Sequence, residues 1–255
     1  MREEHPVFDT KIDVDTVTWR YFDFPKFVSL LQSRALYFSR ANLLGDPLEG
    51  SVTRAREAAR RRLLQNPPKG RSREELERVF EHNARIVRQA PGCTYINCWH
   101  MGDHESMAMW LGYGGGPYGV AIRSTFGLLD DLLPIDFPDS PMPHVFIGRV
   151  KYIDYQSEEQ QVPEEYNAYG PFLCKSIPYQ HESELRAVFA DMSFFDRSDA
   201  PPGHLIPLDV EGLICGVTVS PLSPPWFDGV VNETCGRFGC PANVSRSSVF
   251  GEPIY

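Results

Sequence analysis

The apolar positions near the start of the chain change from the spacing of a strand to that of a helix and back. Residues 17–22 have the pattern of a short strand, and Pro25 then stands where the first turn of a helix accepts proline. Residues 36–39 have the pattern of a second strand, and a loop with the turn sequence Gly45-Asp46-Pro47 follows at 41–51. The first fifty residues therefore predict a strand, a helix, a strand and a loop.

Two consecutive helices are predicted at about 51–90, as an insertion into the fold. The first extends to about residue 64 and ends before Pro67-Pro68, because proline lacks the backbone N–H that a helix interior needs. Ser72 and Glu75 have the spacing of a capping box, which predicts a second helix from there to about residue 90.

From residue 91 onward the pattern is mainly that of β structure. Strands are predicted at 94–99, 118–123, 145–155, 185–190, 205–208, 213–219 and 244–250. Short helices are predicted at 105–113, with Asp103 as the N-cap, and at 226–238. Strands mixed irregularly with helices predict an α+β fold in a single domain, 1–255, with a mixed sheet that is mostly antiparallel or split.

Composition narrows the class of protein. No run of about 18 apolar residues occurs, and residues 1–5 lack the apolar stretch of a signal peptide, so we expect a cytoplasmic protein without a membrane partner. The six cysteines are then expected to be reduced thiols. The net charge of −9 argues against a surface that binds nucleic acid over its whole extent.

One local run has the opposite sign of charge. It is a basic block made of Arg54, Arg56, Arg60, Arg61, Arg62, Lys69, Arg71 and Arg73. Such a block is typical either of a solvated helix surface or of a face that contacts nucleic-acid phosphates. The sequence leaves both interpretations open.

Polar side chains follow apolar runs in two segments, at 95–110 and at 179–186. Glu182 and Glu184 are two residues apart, which on a strand places both on one face. Two like charges so close would raise the pKa of one of them unless a cation intervenes, and Lys175 or Arg186 could supply that cation. A structural ion-pair network explains the same residues equally well. The side chains predicted to line a common cleft are Arg20, Tyr21, His100, Trp110, Lys175, Glu182, Glu184 and Arg186.

The same segments also contain side chains that could bind a metal ion. His100, His104 and His181, with Asp103 or Glu105, are ligand types found in metal-dependent hydrolases. Gly102 lies between the first two histidines and favours a turn over the helical face that a pair of ligands four residues apart needs. The predicted site therefore contains no metal.

Several motifs in the same order resemble the bacterial family catalogued as domain of unknown function 2971. They are WRYF at 19–22, LYFS at 36–39, DPLEGS at 46–51, NCWH at 97–100, ESMAMW at 105–110, YGVAI at 118–122, Lys175 and ESELR at 182–186. The resemblance extends over nearly the whole chain. The family name implies no activity.

A more distant resemblance is to the ADP-ribosyltransferase superfamily. In those enzymes an early strand supplies arginine or histidine, a later strand a serine, threonine or tyrosine, and a still later strand an acidic residue, often as Glu-x-Glu. Arg20, the segment 97–100 and Glu182-Ser183-Glu184 occur in that order. The resemblance implies NAD as a substrate.

The same resemblance implies roles for the residues of the cleft. Arg20 would contact phosphate, His100 or Tyr21 would position the substrate, and Glu184 would stabilise an oxocarbenium-like transition state. The implied catalytic residues are Glu184, Glu182 and His100, and the implied cofactor-binding residues are Arg20, Tyr21, Trp110, Lys175 and Arg186.

Three functions thus remain open. The first is a nucleotide-binding, ADP-ribosyltransferase-like enzyme. The second is a noncatalytic module that binds a ligand in the cleft or a nucleic acid through the basic block. The third is a metal-dependent hydrolase.

Overall fold

The computed structural model of the protein describes residues 11–48, 50–134, 144–159, 169–240 and 243–251. Residues 1–5, on which the expected location partly rests, and Glu49, in one motif of the family resemblance, lie outside the described residues. In the described part of the chain, no helix is long and apolar enough to cross a bilayer.

The described strands and α-helices follow one another irregularly along the chain, as the sequence predicts. The first half contains β1 (Val17–Asp23), α1 (Phe24–Ser33), β2 (Ala35–Arg40), α2 (Arg54–Gln65), α3 (Arg73–Gln89), β3 (Thr94–Met101), α4 (Met107–Tyr113), β4 (Gly119–Thr125) and α5 (Phe126–Leu132). The second half contains β5 (Phe146–Arg149), β6 (Lys151–Ile153), β7 (Cys174–Ser176), β8 (Glu184–Ala190), β9 (Gly203–Pro207), α6 (Val210–Leu213), β10 (Gly216–Val219), α7 (Phe227–Phe238) and β11 (Val244–Arg246). Short 3-10 helices lie at Ala41–Leu43, Ala90–Gly92, Gly116–Tyr118, Gly170–Leu173, Ile177–Glu182 and Met192–Phe194.

Nine of the described strands form one mixed sheet that is antiparallel except where β10 meets β11. The sheet divides at β3. One edge of β3 pairs with β8, and the other edge pairs with β1 at Trp19–His100 and with β2 at Ser39–Ile96. β6 and β7 form a separate, parallel pair. The α+β class and the single domain predicted from the sequence are confirmed.

The strand registers assign side chains to the two faces of the large sheet. Phe22, Trp99 and Leu185 belong to the main apolar core, in which α1 and α7 pack, and we call this side the helix face. His100 lies opposite both Trp19 and Glu184, and these side chains point to the other side, which we call the loop face. Each predicted site residue on the sheet therefore belongs to one of these two faces.

Local signals explain where two helices begin. Asp23 caps α1 by accepting a hydrogen bond from the Lys26 backbone N–H, and Pro25 lies in the first turn as predicted. The capping box of α3 is confirmed, since the Glu75 N–H donates to Ser72 Oγ at 3.1 Å and the Ser72 N–H to Glu75 Oε2 at 2.9 Å.

Three of the predicted strands differ from the observed ones. The strand at 145–155 is broken at Val150, whose N–H donates to the Glu184 carbonyl at 2.9 Å, so β5 and β6 belong to different sheets. The strand at 213–219 begins only at Gly216, because Asp209 caps the short helix α6. The strand at 244–250 ends at Arg246.

The helix predicted at 105–113 begins at Met107, and its N-cap is Ser106 rather than Asp103. Ser106 Oγ accepts a hydrogen bond from the Met109 N–H at 3.4 Å. Gly102 is not helical, as expected, and the chain bends at Asp103 and His104. The Gly102 carbonyl accepts a hydrogen bond from the Trp19 indole at 2.9 Å. This contact with β1 directs the chain past Asp103 before the helix starts.

Candidate functional site

A buried ion-pair network occupies the loop face beside the start of β8. Its centre is Lys175 on β7, which bonds Glu182 Oε2 and lies 3.5 Å from Glu184 Oε2. Glu182 ends the 3-10 helix Ile177–Glu182, and Glu184 begins β8. All three side chains are buried. The network joins two short segments to the central sheet.

Arg186 supplies a second cation to the network. Its Nη2 and Nε donate to Glu184 Oε2 at 2.8 and 3.2 Å, and its Nη1 donates to the Phe172 carbonyl at 2.7 Å. The side chain is 0% exposed. Two cations therefore meet two carboxylates, and the buried cluster is close to electrically neutral.

The charges of the network support one another's ionisation. Burial alone would raise the pKa of Glu184, but the Arg186 guanidinium and the Lys175 ammonium hold that pKa below its usual value. Burial alone would lower the pKa of Lys175, and the carboxylates of Glu184 and Glu182 raise it instead. Glu184 and Lys175 are thus both charged at neutral pH.

Aromatic and imidazole side chains lie next to the network. His100 Nδ1 donates to the Glu182 carbonyl at 2.6 Å, and burial lowers the pKa of His100. Tyr113 donates its hydroxyl to Glu182 Oε1 at 2.6 Å. The Tyr21 ring contacts His100 and Trp110 edge to face, with centroids 6.3 and 4.9 Å away. The structure thus brings most of the predicted side chains together on the loop face.

Arg20 is the exception, and its predicted place in the same cleft is wrong. It points to the helix face, where its guanidinium lies 5.3 Å from the Phe22 ring centroid and 5.9 Å from that of Trp99. Its Nη2 donates to the Tyr37 carbonyl at 3.3 Å, and burial lowers the pKa of Arg20 to about 10. Adjacent strand residues face opposite ways, so Arg20 and Tyr21 could never share a cleft.

The predicted arrangement of the two glutamates on one strand face is also wrong. Ser183 between them has a φ of 41°, a left-handed conformation that separates the 3-10 helix from β8. The carboxylates meet through the Lys175 ammonium rather than through strand alternation. The expected role of that lysine as the intervening cation is confirmed.

The candidate metal ligands are spread apart. His181 contacts the Pro178 carbonyl through Nδ1 at 3.2 Å, on the exposed side of its 3-10 helix. Within the described ranges, no three His, Cys, Asp or Glu side chains are grouped so that they could hold a metal ion. The six cysteines form no disulfide.

A second candidate site is an open cleft of about 650 Å³ that the sequence did not predict. It lies between the end of β2, the end of α3 and the loop after Met192–Phe194. The polar side chains in its wall include Arg40, Asn42, Asp46, Arg88, Asp196 and Arg197. They come from three distant segments, and no local motif connects them.

The basic block lies on a helical hairpin made of α2, α3 and the loop between them, with five of its eight cations on α2. None of the residues of α2 is buried, and α3 buries only Leu76. The two helices contact each other, with the Arg60 guanidinium 5.2 Å from the centroid of the Phe80 ring. The start of α2 is joined to the body by a hydrogen bond from the Arg54 N–H to the Tyr155 carbonyl at 3.0 Å.

No protein-family model matches the chain, and searches of curated proteins and of solved structures gave no match. The resemblances noted in the sequence, to domain of unknown function 2971 and to ADP-ribosyltransferases, stay predictions. Inference about function therefore depends on the geometry of the two clusters and the hairpin.

Proposed function

We propose that the protein is a noncatalytic nucleic-acid-binding module that contacts phosphates through the α2–α3 hairpin. The observation that carries the proposal is the segregation of charge. Residues 51–90 contain eleven Lys and Arg and five Glu, a net charge of +6, whereas the other 215 residues carry −15. A basic hairpin on an acidic protein limits binding to one face.

The charges of α2 are only partly neutralised within the hairpin. Glu57 pairs with Arg60 at 3.7 Å and with Arg61 at 3.4 Å. Within the described residues, four cations of the block make no ion pair: Arg54, Arg62, Lys69 and Arg71. All four are exposed. They are free to replace the counterions of a phosphate backbone.

The state of the predicted catalytic carboxylate favours binding over catalysis. Glu184 is 4% exposed and is engaged by Arg186 and Lys175. A carboxylate that stabilises an oxocarbenium ion must reach the substrate with its charge available. In this geometry the negative charge of Glu184 is already neutralised by the Arg186 and Lys175 side chains.

The experiment is fluorescence anisotropy with labelled duplex DNA and labelled single-stranded RNA of mixed sequence. Four phosphate contacts predict a slope of about −3.6 for log K against log salt on the duplex, or about 150-fold weaker binding from roughly 50 to 200 mM salt, and a slope of about −2.8 on the single strand. Reversing Arg60, Arg61 and Arg62 to Glu takes the hairpin from a net charge of +6 to zero. We expect this variant to lose binding.

A matched control reverses three exposed cations outside the hairpin, Arg123, Arg149 and Lys151. This variant has the same net charge as the hairpin variant and should retain most of the affinity. Equal losses in both variants would mean that overall charge governs the attraction. Absence of binding at low salt would eliminate the proposal.

A second candidate function is the ADP-ribosyltransferase-like activity, with NAD as the substrate. The specific observation in its favour is that β1, β3 and β8 are neighbours, with Glu184 directly opposite His100. This is the strand order in which the resemblance distributes its functional residues. Arg20 would take no part in this activity, because its side chain lies on the helix face.

Nicotinamide release from NAD tests the second candidate. Wild type should release nicotinamide, Glu184→Gln should bind NAD without turnover, and Glu182→Gln serves as the matched carboxylate variant. Circular dichroism must show that both variants are folded, since both glutamates are buried. An unchanged rate in Glu184→Gln would end the catalytic role of that residue.

A further inference from the structure

We propose that the open cleft at the base of the hairpin binds a small phosphorylated ligand of the mononucleotide class. The cleft has a volume of about 650 Å³, within the range of about 300–1,000 Å³ typical of small-molecule sites. The site is separate from the buried network and from the exposed face of α2. It therefore adds a function to the nucleic-acid binding proposed above.

Arg40 is held rigidly at the cleft without losing its charge. Its Nε donates to Asn42 Oδ1 at 2.8 Å, and its Nη1 donates to the Ala200 carbonyl. Both acceptors are neutral, so the hydrogen bonds orient the guanidinium but do not neutralise it. A preorganised guanidinium of this kind suits bidentate recognition of phosphate.

Arg88 contributes a second positive charge in the last turn of α3. It is exposed, and no residue in the described ranges makes a hydrogen bond or an ion pair with its side chain. Apart from Asp46, the other charged side chains of the cleft are already paired: Asp196 with Arg85, and Arg197 with Asp199 at 2.8 and 2.6 Å. Arg40 and Arg88 are thus the positive charges that remain for an anion.

Asp46 favours a ligand that carries a hydrogen-bond donor in addition to an anionic group. The residue is 7% exposed. Its Oδ1 accepts a hydrogen bond from the Leu48 N–H at 2.8 Å, whereas its buried Oδ2 has no partner among the described residues. A buried carboxylate oxygen without a donor costs about 1–3 kcal/mol. A ligand that carries both a phosphate and an N–H or O–H donor would satisfy Asp46 and the guanidinium groups together.

Nucleotides combine these two chemical groups. Their phosphates match Arg40 and Arg88, and the hydroxyls of the ribose or the amino group of a base can donate to Asp46. Inorganic pyrophosphate has the anionic part alone. The difference in affinity between a nucleoside diphosphate and pyrophosphate therefore measures the contribution of the nucleoside, and Asp46→Asn measures the share due to that carboxylate.

The test is isothermal titration calorimetry of the full chain with ADP, GDP, CDP, UDP and pyrophosphate. We expect at least one nucleotide to bind more tightly than pyrophosphate. Arg88→Ala should weaken both kinds of probe by at least about tenfold, the loss expected for one charge-assisted contact. Asp46→Asn should weaken only the nucleotide. Arg78→Ala, an exposed arginine on the same helix outside the cleft, should change neither affinity.

Three results would overturn the proposal. They are the absence of binding for all five probes, an unchanged affinity in Arg88→Ala, and pyrophosphate binding as tight as that of every nucleotide. The hairpin variant with Arg60, Arg61 and Arg62 reversed should retain nucleotide affinity. If that variant lost it, the nucleotide would be bound by the basic face and not by the cleft.

Discussion

Replacing Lys175 by methionine tests the central claim about the buried network. The substitution keeps most of the side-chain volume and removes the ammonium group. Glu184 would retain the Arg186 guanidinium at 2.8 Å. Glu182 would retain only neutral donors, chiefly the Tyr113 hydroxyl at 2.6 Å. One buried carboxylate is therefore left without a cation.

The expected loss of unfolding free energy can be obtained in two independent ways. Removing one partner of a buried ion pair typically costs about 3–5 kcal/mol. The orphaned carboxylate can instead take up a proton, which at pH 7 costs about 3.7 kcal/mol for a group that ordinarily titrates near pH 4.3, at about 1.36 kcal/mol per pH unit. This value lies within the first range, so we expect destabilisation of about 3.7 kcal/mol at pH 7.

The same reasoning predicts how the cost depends on pH. At pH 5.5 protonation costs about 1.6 kcal/mol, so the difference in unfolding free energy between Lys175→Met and wild type should shrink to that value. The double variant Lys175→Met/Glu182→Gln removes both charges. It should recover much of the loss, because a glutamine oxygen can still accept from the Tyr113 hydroxyl.

Urea unfolding followed by the fluorescence of the buried tryptophans Trp99 and Trp110 measures these differences. Arg73→Met is the control, because the Arg73–Glu77 pair has side chains 64% and 44% exposed and is worth only about 0.3–0.5 kcal/mol. A loss below about 1 kcal/mol for Lys175→Met, or a loss that does not change with pH, would refute the reasoning.

The remaining predictions concern His100 and the start of α4. Burial lowers the pKa of His100 from its usual 6.5, so the stability of wild type should decline as pH falls below that value. His100→Asn, whose amide can still donate to the Glu182 carbonyl, should show a flatter profile in urea unfolding between pH 7 and 5. Ser106→Ala should cost about 1 kcal/mol because the Met109 N–H loses its cap, whereas Asp103→Ala should cost less than about 0.5 kcal/mol; the reverse order in thermal unfolding would contradict the assigned cap.

The start of α3 was predictable because its determinants are close together in the sequence. Ser72 and Glu75 form the capping box within a single turn. The start of α4 was not, since Asp103 and Ser106 are both able to cap a helix. The choice between them depends on the contact from the Trp19 indole to the Gly102 carbonyl, which joins residues 83 positions apart.

The candidate site was predictable in part. The spacing of Glu184 and Arg186 places both on one face of β8, and the structure confirms their ion pair. The same alternation should have separated Arg20 from Tyr21, a signal present in the sequence but overridden by the family resemblance. The cleft at Arg40, Asp46 and Arg88 had no such signal.

The sequence alone determined the α+β class, most of the helices and strands, and the net charge of +6 at residues 51–90. These properties depend on the periodicity, caps and charges of neighbouring residues. Only the tertiary structure decided that Lys175 lies between two glutamates, that Arg20 is on the helix face, and that three distant segments enclose a cleft. The physical reason is that strand pairing between residues far apart in sequence sets which side chains meet, and no local pattern encodes that distance.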